Sequence, residues 1–393
     1  MKHHKYLIVG GGMAADSAVR GIRKIDQSGN IAMICDERDP PYDRPPLSKS
    51  LWKGQPFESI WRNTHELLNV YVHVGKRVAA LDPAQKTATD NAGNIYTYEK
   101  LLLATGGSIR RLPGAGEGVI YFRTADDYRK LRELSARGSD FVVIGGGFIG
   151  SEIAAALAMN GKRVTMIFPS NGIGSRVYPQ ALVAFLNSYY QEKGITLLAS
   201  ETVQSVRAMG AKTIVTTGGG SEIFADGVVA GLGIQTNTEL AAQAGLDVDN
   251  GILVDELLRT SNPDIYAAGD VANFYSAALE KRVRVEHEDN ANVMGEMAGR
   301  NMAGQSESYR HQPFFYSDMF DLGYEAVGEL DSSLDIVEDW KEPFRKGVIY
   351  YLRDGRVRGV LLWNTWGQVA AATQLLTEKT QHTRQTLLGR ISD

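Results

Sequence analysis

Short runs of β-branched and apolar residues alternate with longer stretches in which apolar positions return every three or four residues. Twice, the change of period falls on a cluster of glycines. Lys5-Tyr-Leu-Ile-Val9 reads as a strand, and beyond Gly10-Gly11-Gly12 the positions Ala15, Ala18, Val19, Ile22 and Ile25 keep helical spacing. Ser28-Gly29-Asn30 stops that helix, and Ile31 to Cys35 forms the next strand. The plan then repeats: Phe141 to Ile144 is a strand, Gly145-Gly146-Gly147-Phe148-Ile149-Gly150 a turn, and Ile149, Ile153, Ala156 and Leu157 trace a helix. Asn160-Gly161 supplies a left-handed cap, and Arg163 to Phe168 is the following strand.

Both turns fit G-x-G-x-x-[GA] between a strand and a helix, and they lie 135 residues apart. Glycine turns the chain sharply, lets a pyrophosphate approach the main chain, and leaves free N–H groups at a helix N-terminus facing the anion. Gly10, Gly12 and Ala15, and then Gly145, Gly147 and Gly150, are the candidate phosphate-facing positions. Asp36-Glu37 stands where a carboxylate meets adenosine ribose hydroxyls. The corresponding end of the second unit, Phe168-Pro169-Ser170, has no acid, although an acid there would favour NADH by repelling a 2′-phosphate. Two such units in one chain point to two dinucleotides, and the usual purpose is to pass a hydride between them.

Elsewhere short strands and tight turns prevail. Asp90-Asn-Ala-Gly93, Thr217-Gly-Gly-Gly220 and Asp249-Asn250-Gly251 read as hairpin connections. From about Tyr309, the strands Gly347 to Leu352 and Arg356 to Trp363 flank Asp354-Gly355, and a helix follows over Gln368 to Thr377. This predicts a separate C-terminal α+β domain.

At 393 residues the chain can build two or three domains. A net charge of −4 with no long basic run gives no basis for nucleic-acid binding. No segment reaches 18 consecutive apolar residues and the first residues run directly into a strand. The expectation is a cytoplasmic protein without signal peptide or membrane anchor. The seven histidines show no metal-ligand spacing, so no metal is expected. Cys35 is the only cysteine, which excludes an internal redox disulfide. Electrons that leave the second dinucleotide must therefore go to an external acceptor, and Cys35 itself reads as a buried strand residue.

Further segments carry a family resemblance. Tyr98 to Gly107, with Ala104-Thr105-Gly106, resembles the strand-ATG turn of the two-dinucleotide flavoproteins, and Thr260 to Ala272, with Gly269-Asp270, resembles their second flavin motif. Pro41-Tyr-Asp-Arg44-Pro-Pro-Leu-Ser-Lys49, Val285-Glu286-His287, Phe315-Tyr316-Ser317-Asp318 and Gly323-Tyr-Glu325 are similar to signatures of a narrower group. That group is the ferredoxin-reductase-like flavoproteins, including the oxidoreductase core of apoptosis-inducing factor. The likeness implies an α/β chain with two Rossmann-like dinucleotide-binding domains, in the glutathione-reductase-like two-dinucleotide flavoprotein fold, plus the C-terminal α+β domain. The implied ranges are 1–115 and 241–308 for FAD, 116–240 for NAD(P)H, and 309–393 for the C-terminal domain.

The resemblance also implies roles. Gly10, Gly12 and Ala15 would face the FAD pyrophosphate, with Asp36 and Glu37 at the ribose, Arg44 at the phosphates or adjoining groups, and Val78 at the adenine. Ala104, Thr105, Gly106, Arg123 and Gly269 would lie near FAD, and Asp270 would bind the ribityl chain. Gly145, Gly147, Phe148, Ile149, Gly150 and Gly233 would line the nicotinamide dinucleotide. Glu286, His287, Tyr316 and Glu325 match positions near flavin and nicotinamide; the family carries tryptophan where Tyr316 stands. The chain between Gly328 and Pro343 is much shorter than in the mammalian apoptosis factor, so only the redox core transfers.

Hydride transfer needs the two rings stacked with water excluded. Phe148 and Glu152, at i and i+4, share a helix face, and Phe148 could gate the nicotinamide slot. Lys49 and Glu152 are the pair expected beside flavin N5, and His287 is expected to stack on nicotinamide just before a helix whose dipole favours negative charge. The expected activity is an FAD-dependent NAD(P)H oxidoreductase, NADH slightly favoured, serving a ferredoxin- or rubredoxin-type protein or a quinone. The alternative is an NADH-responsive redox sensor that forms a charge-transfer complex and changes its dimer state. A flavin-bound scaffold without turnover stands third.

Overall fold

The computed structural model describes residues 2–114 and 116–391. Both glycine clusters stand where the period of the sequence changes. β1 (Lys2–Val9) leads through Gly10-Gly11-Gly12 into α1 (Met13–Ile25) and on to β2 (Ile31–Ile34). β3 (Asp140–Ile144), α2 (Phe148–Met159) and β4 (Arg163–Phe168) repeat the unit. Later come α3 (Glu288–Met302), β5 (Phe314–Met319) and β6 (Leu322–Gly328). The chain divides into two compact units: 1–44, 58–108 and 235–313 form the first, and 45–57, 109–234 and 314–393 the second.

In the first unit, β1 is flanked by two parallel strands, β2 and Ile95–Leu103, with Tyr71–His73 outside β2. The order therefore reverses beside β1, the switch point at which open α/β sheets bind ligands beyond their strand ends. Ile95–Leu103 is long enough to take two partners. Its first residues pair antiparallel with Thr87–Asp90, and its last three pair parallel with Ile265–Ala267. Leu7, Ile8, Ala15, Ala18, Val19 and Ile22 are fully buried, as their spacing requires. α1 and α3 pack backbone to backbone. A Cβ on Gly295 would fall 2.3 Å from the Ala14 carbonyl oxygen, and one on Gly299 would fall 1.9 Å from that of Ala18.

In the second unit, β3 pairs parallel with β4 on one side and with Gly227–Ala230 on the other; Ile195–Ala199 and Val119–Tyr121 close the sheet. Gly161, at φ +73°, ends α2 as expected of the Asn-Gly cap. The C-terminal sheet is antiparallel, in the order β5, β6, Arg356–Trp363, Lys346–Arg353, Asp335–Glu342. Helix Val369–Thr377 packs on β6 and Arg356–Trp363. Asp354-Gly355 makes the expected hairpin. Among the described residues no helix is long and apolar enough to cross a membrane.

Candidate functional site

The two glycine turns have the same construction. Gly10 adopts φ +130° and Gly145 φ +114°, a region side chains rarely enter. A Cβ on Gly10 would lie 2.2 Å from the Ala104 carbonyl oxygen, and one on Gly145 would lie 2.5 Å from that of Gly231. The middle glycines are pressed against the end of the next strand: Gly11 would meet Cys35 Sγ at 2.6 Å, and Gly146 the Phe168 ring at 2.9 Å. The third glycines differ. Gly12 and Gly147 are the N-caps of α1 and α2, neither helix has a side-chain cap, and a Cβ on either would meet nothing within 4 Å. Each helix thus presents its first-turn N–H groups to open space, with the positive end of its dipole behind them. A phosphate-bearing ligand fits that arrangement, and two such cradles fit two dinucleotides.

The first unit holds most of the residues expected at FAD. Ala15 is buried in α1, and Ala104 donates its N–H to the Val9 carbonyl at 2.9 Å. Thr105 donates to the Asn237 carbonyl at 2.9 Å, and Gly106 turns at φ +58°. Asp36 is exposed just beyond β2, whereas Glu37 is engaged by the Tyr42 hydroxyl at 2.6 Å and Arg44 at 2.8 Å. Gly269, at φ +79°, packs against Ala14 and leads into Asp270. Arg284, which sequence reasoning missed, donates to the Asp270 carbonyl at 3.1 Å and to Glu286 at 2.8 Å. His287 caps α3, and burial pulls its pKa down to about 4, so the ring is neutral at physiological pH. Val78 is buried at the start of strand Val78–Asp82. Cys35 is a free, buried thiol whose pKa burial raises to about 12, so it is inert as a nucleophile.

The second unit holds the rest. Gly150 is required by close packing, since a Cβ there would lie 2.0 Å from the Gly145 oxygen. Gly233, at φ +78°, faces open space, and Arg123 immediately precedes the Thr124 cap of helix Ala125–Arg137. Phe148 and Ile149 begin α2 with side chains partly open to solvent, Phe148 at 38%. The Phe148 ring centroid lies 5.9 Å from that of Phe315 and 6.5 Å from that of Tyr324.

One turn further along α2, Glu152 is 3% exposed. Its Oε2 accepts from Lys49 Nζ at 2.8 Å, so the expected pair forms although the partners are 103 residues apart. Lys49 Nζ also lies 5.3 Å from the centre of the Tyr316 ring, a cation–π contact. Tyr316 and Glu325 are opposite one another on β5 and β6, and Glu325 accepts from the Gly367 N–H at 3.0 Å. Two hydroxyls that sequence reasoning left without a role complete the cluster: Ser48 donates to Glu152 Oε2 and Ser317 to Oε1, both at 2.6 Å. Each sits inside a motif quoted for other residues, next to Lys49 and Tyr316, which is the only local signal either one carries.

Comparison with known proteins agrees with this construction. Residues 4–295 match the family model for pyridine nucleotide-disulphide oxidoreductase, and residues 298–342 and 337–378 match that of the apoptosis-inducing factor, mitochondrion-associated, C-term domain. The chain is 32% identical to apoptosis-inducing factor 1, mitochondrial, of Dictyostelium discoideum, over 96% of this chain and 79% of that protein. It is 34% identical to the anthranilate 1,2-dioxygenase system ferredoxin–NAD(+) reductase component of Burkholderia cepacia, over 96% and 95% respectively. The crystal structure of a covalent putidaredoxin reductase–putidaredoxin complex superimposes with a TM-score of 0.88 at 30% identity, over 96% of this chain and 94% of that one. The chain belongs to the pyridine nucleotide-disulphide oxidoreductase family, in its ferredoxin-reductase-like branch close to apoptosis-inducing factor.

Proposed function

We propose that the chain is an FAD-dependent NAD(P)H oxidoreductase that passes electrons to an external acceptor, a small iron–sulfur protein of the ferredoxin type. The observation that carries this reading is the paired set of open, uncapped, glycine-turned helix N-termini, one in each unit. The single buried cysteine supports it, because no internal disulfide can take the electrons. Relatives named as reductases of ferredoxin and putidaredoxin support the class of acceptor.

We assign 1–115 and 241–308 to FAD, 116–240 to NAD(P)H and 309–393 to the C-terminal domain. Bound FAD supplies a ring nitrogen that accepts hydride, and a ring system that can release electrons one at a time. The chain's own residues do the rest. Gly12 and the first turn of α1 receive one pyrophosphate, and Gly147 and α2 the other. Asp36 is assigned to the ribose and Asp270 to the ribityl chain, with Arg284 tying the Asp270 backbone to Glu286. Phe148 covers the nicotinamide slot, and neutral His287 offers a flat ring without a competing charge. Lys49, held by Glu152, presents positive charge where electron density builds on reduction.

Anaerobic stopped-flow mixing tests the reading. The purified protein should be yellow, NADH or NADPH should bleach it, and a [2Fe–2S] ferredoxin should restore the colour. Colourless protein that stays so after incubation with FAD, or flavin that neither nucleotide bleaches, sinks the proposal. Bleached protein that persists in air and ignores the ferredoxin, while changing size on gel filtration, would favour a redox-sensing role instead.

A further inference from the structure

Glu152 is surrounded by groups that cannot replace one another. Its carboxylate has room for about four hydrogen bonds, and among the described residues it receives three: Lys49 and Ser48 on Oε2, Ser317 on Oε1. Ser317 is therefore the one donor to Oε1 among those residues. The other titratable groups that face Glu152 are Tyr178 and Tyr190, before and within helix Gln180–Glu192, and Tyr324 on β6. Burial pushes all three phenols up, so they remain neutral and bring no competing charge. Tyr190 donates a hydrogen bond to the Ser151 carbonyl, and the Tyr324 hydroxyl lies beside those of Tyr178 and Ser317.

The terminal torsion of a glutamate is soft and two-fold. A single ammonium on one oxygen would leave the carboxylate plane free to swing, and Lys49 free to follow it. Hydroxyls on both oxygens remove that freedom. Ser317 is rigidly placed to restrain the carboxylate, being 1% exposed and directly opposite Tyr324 in the β5–β6 ladder. The Tyr324 ring in turn stacks on Trp363 with 13° between the planes. Ser48 approaches from the other side, on the turn Pro45–Ser48 that also delivers Lys49.

We propose that Ser317, assisted by Ser48, is a positioning residue of the reductive half-reaction: it acts through Glu152 to hold the Lys49 ammonium in its working place. The inference rests on the role assigned above to the Lys49–Glu152 pair. Ser317 touches neither nucleotide in this scheme, so its effect must vanish when Glu152 can no longer orient a charge.

A double-mutant cycle tests it on the FAD-loaded protein, reading the limiting rate of flavin bleaching and the NADH concentration for half that rate. Ser317→Ala should lower the limiting rate about tenfold, the effect of one lost charge-assisted hydrogen bond, with the half-rate concentration and FAD content unchanged. Ser317→Thr, which keeps the hydroxyl, should restore most of the rate. In a Glu152→Gln background, Ser317→Ala should change the rate less than about twofold, because coupled residues are non-additive. Additive effects, or a parental rate in Ser317→Ala beside a slow Glu152→Gln, overturn the inference and leave the pair's role standing. A parental rate in Glu152→Gln overturns the pair's role and the inference with it. If Ser317→Ala does not retain FAD, Ser48→Ala takes its place in the same cycle and is read by the same criteria.

Discussion

Truncating Lys49 would strand Glu152 as a carboxylate in a site nearly closed to water. Breaking a buried ion pair from one side costs about 3–5 kcal/mol, whereas neutralising both partners costs less. Lys49→Ala should therefore destabilise the second unit by about 3 kcal/mol, and Lys49→Met combined with Glu152→Gln by less than that. In the double variant one serine can still donate to the glutamine oxygen while the other accepts from its amide N–H. Urea unfolding of the three proteins decides this; a single variant no less stable than the double would contradict the burial argument. Lys49 and Glu152 were legible as a pair because each lies in a recognisable segment. The serines were not, because serine is common in turns and strands, and nothing local distinguishes a hydroxyl aimed at a carboxylate from one aimed at water.

Gly295 and Gly299 illustrate the scale of the element. In an exposed helix, glycine to alanine gains about 1 kcal/mol. Here the sign reverses, since each new methyl would overlap a carbonyl of α1, at Ala14 or Ala18. Forcing such a contact apart costs about 1–3 kcal/mol and displaces the first turn of α1, whose N–H groups are assigned to the FAD pyrophosphate. Gly299→Ala should lower both the melting temperature and the fraction of protein purified with flavin; unchanged flavin content would show that α3 does not set the position of α1. Helix α3 was expected near its observed place, but its glycines carried no sequence signal of close packing. Only the pairing with α1, far earlier in the chain, gives them a purpose.

At the scale of the whole molecule, the first unit carries a pH liability. His4 and His73 have lowered pKa values, chiefly through burial, and His287 falls to about 4 for the same reason. Among the described residues, neither ring nitrogen of His4, nor Nε2 of His73, has a hydrogen-bond partner. The unfolded chain takes up protons near pH 6.5 while the folded one resists. Stability is therefore full above about pH 6.5 and falls as the pH drops toward 4. His287 keeps part of its surface open to water, so its share is at most about 3 kcal/mol. The midpoint of urea-induced flavin release should drop between about pH 6.5 and about pH 4, and His287→Asn should flatten that slope. A midpoint constant over this range would mean that the rings are not held neutral.

What the chain order determined by itself was local: two strand–glycine–helix units, their caps, the hairpins and the absence of a second cysteine. Each follows from periodicity, from the backbone freedom of glycine, or from composition, and none needs a distant partner. The tertiary structure decided which distant groups meet. Glu152 finds Ser48 across 104 positions and Ser317 across 165, and Arg284 bridges Asp270 to Glu286 by folding back on itself. Such meetings depend on strand register and helix contact, which place a side chain in space by the packing of everything around it rather than by the residues beside it.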